Sequence, residues 1–263
     1  MIDICIPVYG MFELLEKCLN SLPAAFGDTL YRVYVYDNAT PLPMEEKQAF
    51  YSRFPVKVTY SKRNLGYPLA CNLAAKKGNN KYVFLLNSDV EMFPGAGERM
   101  VNYLRTDETL GLLGMKLYFP EQVDYEHQQA RPAGKVQHYG ISFNIHARPY
   151  HPFAGWSKDN PKVSSPIEPP AVTGAALMIR RSLWDKIGGY NNDYGNGTYE
   201  DLELSLEVKK LGKRVVIFPD CEAYHYTNAT ALHYQIGFPL ENNHQIFYNK
   251  WAKNIEWSDG YLL

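Results

Sequence analysis

The sequence predicts an α/β fold with a mostly parallel central sheet flanked by helices. Three observations carry this prediction. Apolar strand-length runs alternate with helix-length stretches through the first half of the chain. The run Tyr82–Leu86 is continuously apolar, as in a strand covered on both faces. It leads directly into Asn87-Ser88-Asp89, just beyond a strand's carboxyl end, where open α/β sheets bind ligands.

The elements follow in order. Ile2 to Val8 is a strand, and Met11 to Leu22 a helix with Phe12, Leu15, Leu19 and Leu22 at helical spacing. Tyr31 to Tyr36 is a second strand ending at Asp37-Asn38, and Met44 to Phe54 a helix after Pro41 and Pro43. Val56 to Tyr60 is a third strand, followed by Arg63-Asn64-Leu65-Gly66 and a helix from Leu69 to Lys77. Tyr82 to Leu86 is the fourth strand, Pro94 to Leu104 a helix with proline near its first turn, and Leu112 to Leu117 a fifth strand. This order implies right-handed crossovers between parallel strands.

From Pro120 to Pro170 the chain is rich in proline, glycine, histidine and aromatics, with one strand-like piece from Val136 to Ile145. It reads as an insertion carrying loops over the sheet edge. Patterning returns with a strand in Ala171–Arg180 and a helix from Ser182 to Ile187. An amphipathic helix from Glu200 to Leu211, a strand from Arg214 to Phe218 and a helix from Leu240 to Trp251 complete the chain.

Composition bounds the function. The 263 residues are 46% hydrophobic and 21% charged, an ordinary globular balance, long enough for a full core. A net charge of -1 gives no bulk field for nucleic acid or an anionic membrane, so no nucleic-acid partner is expected. Local basic patches leave peripheral membrane contact open. Cys5, Cys18, Cys71 and Cys221 are dispersed and form no CxxC pair, which suits a reducing compartment. No apolar run approaches the ~20 residues of a membrane span, and the N-terminus enters a strand without a basic leader. A cytoplasmic protein is expected. The 21 tyrosines fit half-buried strand positions as well as stacking on sugars or bases. There is no GxGxxG after the first strand, no GxxxxGK[ST], no GxSxG and no zinc-type histidine spacing at His127, His138, His146, His151, His233 or His244.

Four clusters carry candidate chemistry. Pro7-Val8-Tyr9 and Asp37-Asn38 close adjacent strands, making a cleft for a base; Asp37 is either its hydrogen-bond acceptor or a turn aspartate. Arg63-Asn64-Leu65-Gly66, with Asn72 in the next helix, suits a diphosphate, because Gly66 permits close backbone approach and a helix N-terminus favours anions. Asp89 of Asn87-Ser88-Asp89 suits Mn²⁺ or Mg²⁺, although a helix cap would have the same residues. Glu200-Asp201 opens a helix after the glycine-rich Tyr194–Tyr199, where acids serve the helix dipole or act as a general base, with Glu203 solvating the same face. His225, past the last strand, is a candidate ligand for a transition-type cation.

Taken in order, these clusters resemble the family-2 glycosyltransferases of the GT-A fold, in their rhamnosyltransferase-like branch. The matching residues are Ile6-Pro7-Val8-Tyr9, Asp37-Asn38-Ala39-Thr40, Arg63–Gly66 with Asn72, and Leu86–Asp89. Thr173-Gly174-Ala175, Gly188-Gly189-Tyr190, Glu200–Leu204 and His225 complete the set. The resemblance implies one GT-A domain over residues 1–263, with a nucleotide-binding half 1–118 and an acceptor-binding half 119–263 that carries insertion 120–170. It implies that Asp37 reads the base in a pocket of Pro7, Val8 and Tyr9, with Arg63, Asn64, Gly66 and Asn72 by the base and diphosphate. Asn87-Ser88-Asp89 takes the DxD position, with Asn87 replacing the first aspartate and Asp89 left as metal ligand beside His225. Asp201, next to Glu200, takes the place of the catalytic base. The implied partners are a UDP or dTDP sugar and a glycan acceptor, and the implied reaction is metal-assisted, inverting transfer to a hydroxyl.

Two rival functions stand beside it: a sugar-phosphate nucleotidyltransferase, for which Gly10-Met-Phe-Glu is a poor phosphate loop, and a catalytically weak glycan- or nucleotide-binding module. Tyr150, His151, Phe153 and Trp156 of the insertion are candidate acceptor contacts. The sequons at Asn38, Asn196 and Asn228 fall at the proposed cleft loops, where a glycan would obstruct substrate. Oligomeric state is left open.

Overall fold

The computed structural model describes residues 1–120, 133–227 and 229–253. The strands β1 (Ile2–Val8), β2 (Tyr31–Asp37), β3 (Val56–Tyr60) and β4 (Tyr82–Leu86) lie where the apolar runs place them. Between them run α1 (Phe12–Phe26), α2 (Met44–Tyr51) and α3 (Tyr67–Ala75). α1 passes through Pro23 to end at Phe26, beyond the expected Leu22. Burial of Ala25 and Phe26 outweighs the one hydrogen bond that Pro23 cannot donate.

The chain continues through β5 (Val90–Met92), α4 (Ala96–Thr106), β6 (Leu110–Tyr118), β7 (Val136–His138), β8 (Ser142–Phe143) and β9 (Pro149–Tyr150). Then come β10 (Ala176–Arg180), α5 (Arg181–Ile187), α6 (Glu200–Lys210), β11 (Arg214–His225), α7 (Ala229–His233) and α8 (Leu240–Trp251). The strand-like piece expected over Val136–Ile145 is two strands. Gly140, at φ 94°, breaks it, so β7 joins β6 in the main sheet while β8 pairs with β9. The last strand continues past Phe218 to His225 by way of a register shift between Ile217 and Glu222.

The main sheet runs β3-β2-β1-β4-β10-β6-β11-β5, with β7 added to β6. β1, β2, β3, β4, β6 and β11 share one direction, while β10, β5 and β7 run against them. α1, α2 and α4 pack on one face over Ile4, Ile6, Phe84 and Met115. α3, α5 and α6 cover the other over Cys5, Val83, Leu85 and Ile179. Both faces are therefore buried, which is why the central strands lack polar alternation. All four cysteines are free and buried. Among the described residues no helix is long and apolar enough to cross a membrane.

Candidate active site

The reversed strand β10 builds the centre of the site. Its pairing with β4 lets the Asn87 N–H donate to the Ala175 carbonyl at 2.8 Å, so the polar end of β4 meets Thr173-Gly174-Ala175. The edge strand β5 does the same on the far side. Its antiparallel register sets His225 opposite Val90, and Tyr226 N–H donates to the Asp89 carbonyl at 3.0 Å. Asp89 and His225, far apart in sequence, thus become neighbours through two strand pairings.

The result is a cleft of about 690 Å³ over the carboxyl ends of the central strands. Of the candidate residues, Pro7, Val8, Tyr9, Asn38, Asn64, Gly66, Asn87, Ser88, Asp89, Glu200, Asp201 and His225 line it. Asp37, Arg63 and Asn72 do not. Asp37 is fully buried, with its oxygens accepting from Thr40 N–H at 2.8 Å and the Tyr51 hydroxyl at 3.0 Å, and Lys47 is 3.8 Å away. Asp37 thus sits behind the wall that the next residue, Asn38, lines. Arg63 is exposed outside the cleft. Asn72 donates to the Tyr190 carbonyl and accepts from the Tyr190 N–H, so it fastens the Gly189-Tyr190 turn to α3.

One side of the cleft is held by Asn38. Its amide donates to Asn64 Oδ1 at 2.8 Å, and its own Oδ1 accepts from Leu65 N–H. Gly66, at φ 80°, sits against the backbone of the later loop: a Cβ there would lie 2.0 Å from the Gly195 carbonyl. No larger residue fits that approach.

His225 and Asp89 form the next group. Gln137 fixes the histidine: its amide donates to the His225 carbonyl and to Thr227 Oγ1, which leaves Gln137 Oε1 to accept from His225 Nδ1 at 2.7 Å. Nδ1 therefore carries a proton, and Nε2 faces Asp89 Oδ1 at 3.3 Å. Nε2 is buried with no hydrogen-bond partner. Two ligands each about 2.1 Å from one ion sit roughly 3 Å apart, so this pair fits a divalent cation, with Gln137 as the outer partner that orients the imidazole. Among the described residues no third His, Cys, Asp or Glu joins them. A two-ligand site suits a cation that takes its remaining ligands from phosphate oxygens and water.

Glu200 and Asp201 open α6 beyond a strained turn, since Thr198 (φ 78°) and Tyr199 (φ 74°) are both left-handed. Asn243 of α8, wholly buried, pins this turn by donating to the carbonyls of Tyr194, Gly197 and Thr198. Asp201 accepts from Gly174 N–H at 2.7 Å and Leu202 N–H at 2.9 Å. Burial raises its carboxyl above the usual range, and these N–H donors oppose the rise. Glu200 is pushed well above that range by burial and by Asp201 beside it, and its Oε2 has no partner. Glu203, expected to solvate this face, is instead buried and accepts from the Tyr194 hydroxyl and Lys250.

The insertion closes the remaining wall. Of its four candidate contacts only His151 lines the cleft, together with Arg148 and Pro149. Tyr150 pairs with Ser142 in the β8–β9 hairpin, and Phe153 is core, edge-on to Trp156. Arg148 binds Glu241 of α8 through both nitrogens, at 3.0 and 2.7 Å. Among the described residues it is the only Lys or Arg on the cleft wall.

The profile of glycosyl transferase family 2 matches residues 3–187, more than half of the chain. The chain belongs to that family. The N-acetylglucosaminyl-diphospho-decaprenol L-rhamnosyltransferase of Mycobacterium tuberculosis is 27% identical over 233 residues, covering 81% of this chain and 71% of the relative. The uncharacterized protein y4gI of Sinorhizobium fredii is 26% identical over 247 residues, 89% of this chain and 25% of that protein. The structure of GalNAc-T7 with UDP, GalNAc and Mn²⁺ superposes with a TM-score of 0.72 at 16% identity, covering 97% of this chain and 50% of that one. This family-2 chain therefore has the GT-A fold and spans a quarter of the rhizobial relative and half of the GalNAc-T7 chain.

Proposed function

We propose that this protein transfers a sugar from a nucleoside-diphosphate sugar, of the UDP or dTDP type, to a hydroxyl of a glycan acceptor, with inversion. The observation that carries the reading is the convergence, in one cleft, of the strand-end walls Pro7–Tyr9 and Asn38, the Asp89–His225 pair and the Asp201 carboxylate.

Each group has a task. Tyr9, Asn38 and Asn64 line the space for base and ribose. A divalent cation, Mn²⁺ or Mg²⁺, held by Asp89 and His225, would offset charge on the leaving diphosphate. Such a cation goes with the wall, because the one arginine on it among the described residues is already engaged by Glu241. Asp201 takes the proton of the acceptor hydroxyl while the sugar passes through an oxocarbenium-like state. A single displacement inverts the anomeric carbon. Glu200 keeps its proton, so that the pair carries one negative charge and leaves Asp201 as the base. A cytoplasmic setting goes with this reading, since the sequon residues Asn38 and Asn196 line the cleft.

Thermal stability against UDP, dTDP, GDP and CDP, with and without Mn²⁺, tests the donor site. The expected result is a rise with UDP or dTDP that needs Mn²⁺ and is lost in Asp89→Ala. No rise with any nucleotide would sink the transferase reading in favour of a glycan-binding module.

A further inference from the structure

Strand β7 backs two cleft histidines. Gln137 takes the Nδ1 proton of His225. The next residue, His138, meets His151, with the two Nδ1 atoms 3.0 Å apart. One proton fits between them, and its owner can be assigned. The N–H groups of Gly140 and Thr173 both point at His138 Nε2, each at 3.4 Å, so that nitrogen accepts and carries no proton. His138 is buried, and burial holds its pKa well below the ordinary histidine range, so the ring is neutral. A neutral ring with a bare Nε2 has its proton on Nδ1. His138 therefore donates to His151 Nδ1, and the proton of a neutral His151 is on Nε2. His151 is exposed on the cleft wall, close enough to His225 for the two rings to interact electrostatically.

This gives the wall an uncharged N–H donor in the cleft that Asp89 and His225 also line. The nearby cleft groups Asp89, Glu200 and Asp201 are carboxyls, and Arg148 is neutralised by Glu241. A neutral donor among acids suits a sugar hydroxyl oxygen. A sugar attached to a diphosphate at Asp89–His225 would share the cleft with this wall.

We propose that His151 contacts the sugar being transferred, donating from Nε2–H to one of its hydroxyl oxygens, and that His138 is the positioning residue that keeps the proton there. The inference rests on the transferase reading of the cleft. Its test separates the two by comparing nucleotide sugars with bare nucleotides.

Binding of UDP, dTDP, UDP-N-acetylglucosamine and dTDP-rhamnose is measured by calorimetry with Mn²⁺ on the full chain. His151→Leu is expected to lose about 10-fold in affinity for the nucleotide sugar the wild type prefers, and nothing for the matching nucleotide. His151→Gln, whose amide can replace the Nε2 donor, is expected to keep most of the wild-type affinity. His138→Phe should weaken only the nucleotide sugar, and His138→Asn, which can still donate to Nδ1, should restore it. Nitrogen-15 spectra of the metal-free protein should show His151 protonated at Nε2 in the wild type and in His138→Asn, and a mixture of tautomers in His138→Phe. Equal losses for nucleotide and nucleotide sugar, no loss in His151→Leu, or a wild-type His151 protonated at Nδ1 would each overturn the proposal. If the wild type binds no nucleotide at all, the transferase reading fails, and this proposal with it.

Discussion

His225 Nε2 and Asp89 Oδ1 face each other across 3.3 Å, and Gln137 holds the imidazole in that orientation by accepting from its Nδ1. On the reading that this pair holds a divalent cation, Gln137 would act on metal affinity without touching the metal. Gln137→Leu is expected to weaken Mn²⁺ binding by about 10–100-fold, the usual cost of losing an outer partner to a ligating histidine. Titration of Mn²⁺ in the presence of UDP reads it. Unchanged affinity would mean that the imidazole orientation is set elsewhere.

The two acids that open α6 should separate in kinetics. Asp201 has N–H donors on both oxygens, an arrangement that favours the ionised form, whereas Glu200 Oε2 has none. Asp201→Asn is expected to lower kcat by about 10²–10⁴-fold with little change in donor KM. Glu200→Gln replaces a protonated acid by a neutral isostere and is expected to retain most activity. The reverse order of effects, measured on the same acceptor, would exchange the two roles.

Glu200 also makes stability depend on pH in an unusual direction. In the unfolded chain it ionises near its ordinary value of 4.5, while the folded protein holds the proton to higher pH. The native state therefore binds more protons over that interval, and stability falls as pH rises through it. The raised carboxyl of Asp201 adds with the same sign. Below 4.5 both states carry the proton and the penalty vanishes. Glu200→Gln should thus unfold at a higher temperature than wild type near neutral pH and at nearly the same temperature near pH 4. Thermal scans of both proteins across that range check it.

How much of this was legible in the sequence follows from how local each signal is. β4 declares itself by a continuous apolar run and β1 to β3 by strand-length, mostly apolar segments, and polar residues that follow β1, β2 and β4 line the cleft. A strand-end carboxylate such as Asp37 reads the same in sequence whatever it meets; the contacts to the Thr40 N–H and the Tyr51 hydroxyl, like those of Asn72 to Tyr190, appear only in the fold. The β5 strand, three residues long, exists through its pairing with β11 and carries no periodic pattern of its own. Gln137 and His225 are 88 positions apart, and His138 meets His151 across an insertion that looked like loop. Such contacts are made by topology, and residue spacing does not encode them. A histidine-rich insertion was the one available hint.

Asn243 is a part of the site that no local pattern marks. It lies in the first turn of α8, wholly buried, with its amide aimed at three backbone carbonyls of the Tyr194–Thr198 turn. That turn carries two left-handed residues, Thr198 and Tyr199, immediately before Glu200. Such strain persists only where the surroundings impose it, and Asn243 is the group that does so here. Asn243→Ala would take the side-chain donor from the Gly197 and Thr198 carbonyls in a buried setting, while the Tyr194 carbonyl keeps the Gly197 N–H, at a cost of about 1–3 kcal/mol. The released turn would also let α6 start elsewhere and move Asp201 from Gly174. Denaturant unfolding should show the lost stability. In the part of the population that remains folded, kcat should fall while nucleotide binding at Asn38 and Asp89 holds. Loss of stability without loss of kcat would show that α6 keeps its start unaided.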